Sequence, residues 1–308
     1  MSANENGRII KVASSEGVSI YCPREGKFSL FNSPYPAHKA YTAIDIYPNR
    51  DFGLTALSPV LGEIKEIREV ACPEKNSFKS TRTTYDYVIL MHSLENPKYW
   101  VKILHLEPLV KVGDIVRVGE EMGILLRSGF FDYWTDPHIH IEVRNPSDPI
   151  RARGGLKLKR EIVNLNEDNN VRVEELRGVI VELKPEYALM LLDGDLKYGI
   201  PVEVCGKRGL IDGGVPHYGF FGVHIEHENK TLQSGPVKLC GAEIGIIEHT
   251  YSDAYLIRCL NQTFKVKNAP VKLSFYLYLS KPLVKIILEK PGKPKLEKFE
   301  EISVTISS

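Results

Sequence analysis

The 308-residue chain has no CxxC pair, and its five cysteines (Cys22, Cys72, Cys205, Cys240 and Cys259) are scattered and odd in number. Neither a disulfide framework nor a cysteine-held zinc is indicated, and the thiols are expected to be mostly buried. No run approaches the roughly 18 apolar residues that a membrane span needs, and the opening MSANENGRIIKVASSEG lacks a basic stretch followed by an apolar core. A cytoplasmic protein with no membrane span is the expectation. An excess of one charge is missing too: 40 Lys and Arg against 39 Asp and Glu leave +1, which gives no general pull toward nucleic acid. Any partner must therefore be read from a site. Glutamine is confined to Gln233 and Gln262 while Lys and Glu are abundant, a leaning of thermophile proteins. No long amphipathic helical period is found either.

Strand signals fill that space. YDYVILMH (85–92), YWVKILHL (99–106) and IHIEVR (139–144) are short, rich in β-branched and aromatic residues, and bounded by Pro, Asn or Gly. The class is all-β, or mainly β, and the length suffices for two domains with proper cores. Residues 151–170, RARGGLKLKREIVNLNEDNN, pass from a Gly pair and a basic run into an Asn/Asp-rich stretch, the punctuation of a connection. The expected division is a first domain over 1–150, a linker over 151–170 and a second β-rich domain over 171–308. VEVCGKRG (202–209) and VKLCGAEIG (237–245) look alike, as an internal repeat or as two similar hairpins.

The stretch DPHIHIEVR (136–144) carries the chemistry. In an extended strand His138, His140 and Glu142 share one face and Ile139, Ile141 and Val143 the other, so a half-buried strand with a wet polar face is expected. With nine His in the chain, chance supplies roughly 0.26 HxH pairs, so the pair alone is a weak signal. Upstream lies HLEPLVKVGDIVRVGEEMGIL (105–125), Val and Ile alternating around Gly113-Asp114 and Gly119. Further upstream, FNSPYPAHKAYTAIDIYPNRDFGLTALSPVLGEIKEI (31–67) places Asp45 inside an apolar run, followed by Gly53 and Gly62. An aspartate there is disfavoured unless paired or coordinating.

Together these motifs, over about residues 30 to 145, resemble the lysostaphin-type (LytM) zinc endopeptidases, which cleave peptide cross-links of bacterial cell walls. The resemblance implies an antiparallel β-sandwich of the barrel-sandwich hybrid (duplicated hybrid motif) class with its site in a groove. It implies zinc held by Asp45 and His140, with His105 and His138 assisting catalysis. Three N/O ligands leave zinc a fourth position for a water whose pKa falls to about 7. Flanking imidazoles can move its protons and stabilise the oxyanion formed at an amide. One position departs from the pattern, because four residues before Asp45 stands Tyr41, where the family has its first histidine ligand. Either the loop PYPAHKAYTA carries His38 into that place, or the site keeps two protein ligands and is degenerate. Tyr41 itself is expected to pack, His92 to be structural, and His105 can also be read as a strand histidine satisfied by backbone.

The second domain holds GGVPHYGFFGVHIEHE (213–228), with His217, His224 and His227. A loop with a solvated histidine cluster is expected, with a ligand supplied to the first domain as the reserve reading. Two functions remain open: a zinc-dependent metallopeptidase-like hydrolase acting on a peptide-like substrate, and a catalytically degenerate module that binds a protein partner. A metal-free phosphocarrier using two neighbouring histidines is the third and least favoured, and a lipoyl or biotinyl carrier lacks a lysine at a hairpin tip.

Overall fold

The computed structural model describes residues 9–73, 82–162, 173–226 and 234–307. Contacts gather the chain into two compact units, Met1–Phe28 with Tyr35–Ile162, and Ser29–Pro34 with Val163–Ser308. Antiparallel pairing dominates both units, in keeping with the expected class, with an isolated parallel bridge between Thr83 and Ser128.

The first unit contains β1 (Ile9–Ser15), β2 (Val18–Pro23), β3 (Lys27–Ser29), the short helix α1 (Pro36–Lys39), β4 (Ile44–Tyr47), β5 (Thr55–Leu57), β6 (Gly62–Ala71), β7 (Tyr85–Ser93), β8 (Trp100–Leu104), β9 (Leu106–Pro108), β10 (Ile115–Val116), β11 (Glu121–Leu125), β12 (Ile139–Arg144) and β13 (Lys159–Arg160). Its main sheet runs β10-β6-β7-β8-β12-β4-β3, beside three-stranded sheets β13-β1-β2 and β5-β11-β9. Tight turns set several of the registers in the chain. Glu16-Gly17, between β1 and β2, has positive φ at both residues, the type I′ geometry that suits the twist of a hairpin.

β12 is buried along its whole length, so the expected wet face is not wet. On one side Ile139, Ile141 and Val143 join Ile44, Ile46, Val101 and Ile103 in an apolar layer. On the other, the polar side chains pair with each other. Residues 151–162, expected to open the linker, belong to the first unit: Leu156 N donates to Val143 O, Leu158 N to Tyr41 O, and β13 pairs with β1. Residues 163–170 of that linker lie outside the described residues.

The second unit contains β14 (Leu176–Leu183), β15 (Tyr187–Leu192), β16 (Ile200–Val204), β17 (Lys207–Val215), β18 (Phe220–His224), β19 (Pro236–Leu239), β20 (Ala242–Thr250), β21 (Ala254–Cys259), β22 (Thr263–Val266), β23 (Ala269–Phe275), β24 (Leu277–Tyr278), β25 (Leu283–Leu288) and β26 (Glu301–Ser307). The pairings close two rings of six strands. One runs β16-β17-β18-β21-β20-β19 and back to β16. The other runs β22-β23-β25-β15-β14-β26 and back to β22. Numbered along the chain from β16 and from β22, both read 1-2-3-6-5-4, with β14 and β15 of the second ring taken last. The rings thus share one topology, circularly permuted, and are joined through β17 and β23. Their shared apolar core includes Phe221, Ile257, Phe264 and Ile286.

The two look-alike segments are neighbouring hairpins of a single ring: Cys205-Gly206 and Cys240-Gly241 form their turns, both with positive φ at both positions, and β16 pairs with β19. The tips expose Cys205 and half-expose Cys240, and Cys72 and Cys259 are also only partly covered, so of the five thiols Cys22 alone is buried.

Ser29–Pro34 is held within the second unit by Asp212, whose carboxylate accepts from Ser29 Oγ and from Leu30 N (2.8 Å). His224 Nε2 lies 3.0 Å from the same carboxylate, and all three side chains are buried. His224 is therefore a core histidine on a strand, not part of a solvated cluster, and His227 lies outside the described residues. Because Ser29–Pro34 belongs to the second unit while the chain on either side of it belongs to the first, a cut between the halves should not free them. A protease site engineered between Ile162 and Val173 and then cleaved is expected to give fragments that co-elute in native buffer and part only in denaturant. Fragments that separate without denaturant would contradict this threading.

Candidate metal centre

Strand register brings Asp45 and His140 together. They are directly opposed across β4 and β12, and opposed residues of an antiparallel pair have Cβ atoms about 4.5–5.5 Å apart on the same face. His138 lies two residues back on that face, against the Tyr47 ring (centroids 5.1 Å). His105 directly follows β8, whose Leu104 opposes His140, and its φ of +75° is a conformation few non-glycine residues take.

His38 arrives by a different path. Pro36 sits in the first turn of α1, where its missing N–H costs nothing. The turn is closed by Ala40 N to Pro36 O (3.0 Å) and Thr42 N to Ala37 O (2.9 Å), and Tyr41 takes a φ of +59° before β4 begins. This reversal buries the Tyr41 side chain in the core and leaves His38 pointing at Asp45. The loop thus sets His38 beside Asp45.

The donor atoms form a tight triangle. His38 Nε2 is 3.1 Å from His140 Nδ1 and 3.2 Å from Asp45 Oδ1, and His140 Nδ1 is 2.9 Å from the same oxygen. A tetrahedral zinc with bonds of about 2.1 Å sets its ligands roughly 3.4 Å apart, close to these edges. Among the described residues these three form a group of side chains whose ligand atoms all lie within 4.8 Å of one another. Burial would raise the Asp45 carboxyl, but the imidazoles packed around it, with hydrogen bonds from His140 and His38, hold it well below its usual range. Burial would likewise lower His140, yet Asp45 and Glu142, on its two ring nitrogens, carry it up to about 9.

Sequence reading gave no role to the residues behind this triangle. Glu142 Oε1 lies 3.1 Å from His140 Nε2, so a carboxylate orients the ring whose other nitrogen faces the metal position. Glu142 in turn accepts from Lys102 Nζ (2.8 Å) and Arg144 Nη1 (2.8 Å), and Lys102 Nζ also reaches the Tyr35 hydroxyl (3.0 Å). Burial works against the Glu142 charge, but His140 and Lys102 hold its pKa down near 2. Asp86, fully buried, accepts from His105 Nδ1 (2.5 Å) and from the His105 amide (3.0 Å). Burial opposes its ionisation, and the adjoining His105 imidazole with its hydrogen bond overcomes that, leaving Asp86 lowered. The available signal was charge at alternate positions of apolar strands: Lys102 in WVKIL, Glu142 and Arg144 in IHIEVR. For Asp86 it was a carboxylate at the mouth of YDYVILMH.

All five predicted side chains thus meet in one place. His38 is 0% exposed, Asp45 1%, His140 3%, His138 5% and His105 7%. His92 stays outside, bonded to Pro97 O (2.8 Å).

Residues 19–160, under half the chain, match the family described as "Domain of unknown function (DUF8155) N-terminal domain". A comparison with curated proteins finds no match. Among solved structures the chain is similar to the NMR solution structure of lysostaphin at 13% identity and a TM-score of 0.27, covering 92% of this chain and 95% of that one. It is similar too to the antimicrobial peptidase lysostaphin from Staphylococcus simulans, at 14% identity and a TM-score of 0.26, with the same coverage. Scores this low leave the site to be judged on its own distances.

Proposed function

We propose that the first unit is a zinc-dependent, peptidase-like hydrolase acting on an amide bond. The observation that carries this is the triangle of His38, Asp45 and His140 backed by Glu142, a donor set with one carboxylate, two imidazoles and an oriented outer shell. Bound there, zinc supplies a Lewis acid and a water of lowered pKa. The other residues handle protons. The Asp136 carbonyl can only accept, so its 2.9 Å contact fixes the proton of His138 on Nδ1 and leaves the lone pair on Nε2. Burial, more than any neighbouring charge, pushes His138 down to about 4, so it stays neutral at pH 7 and able to take a proton at Nε2. Asp86 pins the His105 proton on Nδ1 in the same way, and the His105 and His138 rings lie 4.9 Å apart. The pair can accept a proton from the attacking water and return it to the leaving amine.

The test separates binding from chemistry. His138→Ala is expected to keep about one zinc per chain while activity on a fluorogenic peptide library falls by about 10²–10⁴, the usual weight of a proton-transfer group. Loss of zinc on that substitution would make His138 a ligand. The rival reading, a degenerate module that has lost the metal and recruits a protein partner, draws on the burial of every site residue, and it predicts neither bound zinc nor activity in the parent chain.

A further inference from the structure

The site is not open. Phe131 stacks on His138, with centroids 4.6 Å apart and planes 29° from parallel, and meets His105 edge-on at 4.6 Å. Phe52 flanks it at 6.2 Å. Phe131 is itself only 6% exposed. An acyl group approaching both histidines needs the space that this ring fills.

The segment carrying Phe131 lies outside the sheets. Its two ends are pinned. Ser128 is fully buried, with its hydroxyl 3.6 Å from Cys72 Sγ and accepting from Phe130 N, and Asp136 is paired with Lys27 at 2.7 Å. Between them, residues 129–135 join no strand, and the hydrogen bonds from Phe131 N to Ser128 O and from Thr135 N to Asp132 O are local turn contacts. Displacing the middle breaks no sheet ladder. The Asp136 carbonyl that fixes His138 sits at the pinned end, so the segment can lift without releasing that histidine.

We propose that residues 129–135 form a lid whose Phe131 side chain plugs the site in its resting state, so that His105 and His138 become accessible to a peptide only when the ring swings out. This regulation rests on the reading of those histidines as the groups beside the metal, but its test needs neither metal nor substrate. The intact, metal-free chain is treated with diethyl pyrocarbonate, and acylation of His105 and His138 is followed by peptide mass spectrometry against the exposed His249 in the same sample. In the parent both should react at least about tenfold more slowly than His249. Phe131→Ala should bring them to within about threefold of it, and Phe131→Trp should leave them slow. If the alanine variant loses its native near-ultraviolet circular dichroism, Phe131→Leu is read in its place, with an intermediate rate expected. Parent histidines that react as fast as His249, or that stay slow when the ring is truncated, would overturn the lid. Zinc content of the parent, measured separately, reports on the metal reading whichever way the lid falls.

Discussion

Asp45→Ala and His140→Ala are each expected to weaken zinc binding by about two to three orders of magnitude, and His38→Ala to match them. Structural zinc sites bind with about 10–16 kcal/mol shared among four ligands, roughly 2.5–4 kcal/mol each, and about 1.4 kcal/mol is a factor of ten. The parent's affinity should also depend on pH in one direction. In the metal-free chain His140 keeps its second proton up to about 9, and zinc must displace it to reach Nδ1. Affinity should therefore rise about tenfold per unit from pH 7 toward 9 and flatten above. Competition with a chromophoric chelator measures both effects. A His38→Ala chain that binds like the parent, beside failing Asp45 and His140 variants, would take His38 out of the ligand set.

The second large effect lies behind the metal. Glu142→Gln leaves Lys102 and Arg144, both buried and 2.8 Å from the lost charge, without their shared carboxylate. Breaking a buried pair by removing one partner costs about 3–5 kcal/mol, which for a unit of this size lowers the melting temperature by roughly 6–20 °C. Zinc affinity should fall about 10- to 100-fold with it, since His140 loses the group that orients it. The sign against pH is fixed: a carboxyl held down near 2 contributes fully above its unfolded value of about 4.3, and the contribution fades as pH falls toward 2. Parent and variant should therefore converge in acid. A melting temperature within about 2 °C of the parent at pH 7 would mean the cations are satisfied without Glu142.

These residues also mark how far the sequence could be read. Strand alternation is local, so DPHIHIEVR alone put His138 and His140 on one face, and an aspartate in AIDI pointed to a partner. The partner's identity needed register, and the opposition of Asp45 to His140 supplied it. Asp86 and Lys102 escaped because their roles depend on β7, β8 and β12 lying side by side, pairings between segments as far as about 40 residues apart. His38 escaped a firm assignment because it depends on one helical turn and a left-handed Tyr41, neither of which has a periodic signal. In the second unit the strands and their Cys-Gly turns were legible, while closure into two permuted rings and the capture of residues 29–34 by Asp212 were not. Both are set by contacts distant in the chain.

The metal content of the intact chain is the most direct test of the central claim. Protein purified without chelators, supplemented with zinc and desalted, should carry about one zinc per chain by inductively coupled plasma mass spectrometry, and Asp45→Ala prepared alongside should carry almost none. A parent chain that retains less than about a tenth of an equivalent, or an Asp45→Ala chain that retains as much as the parent, would contradict a metal centre at His38, Asp45 and His140.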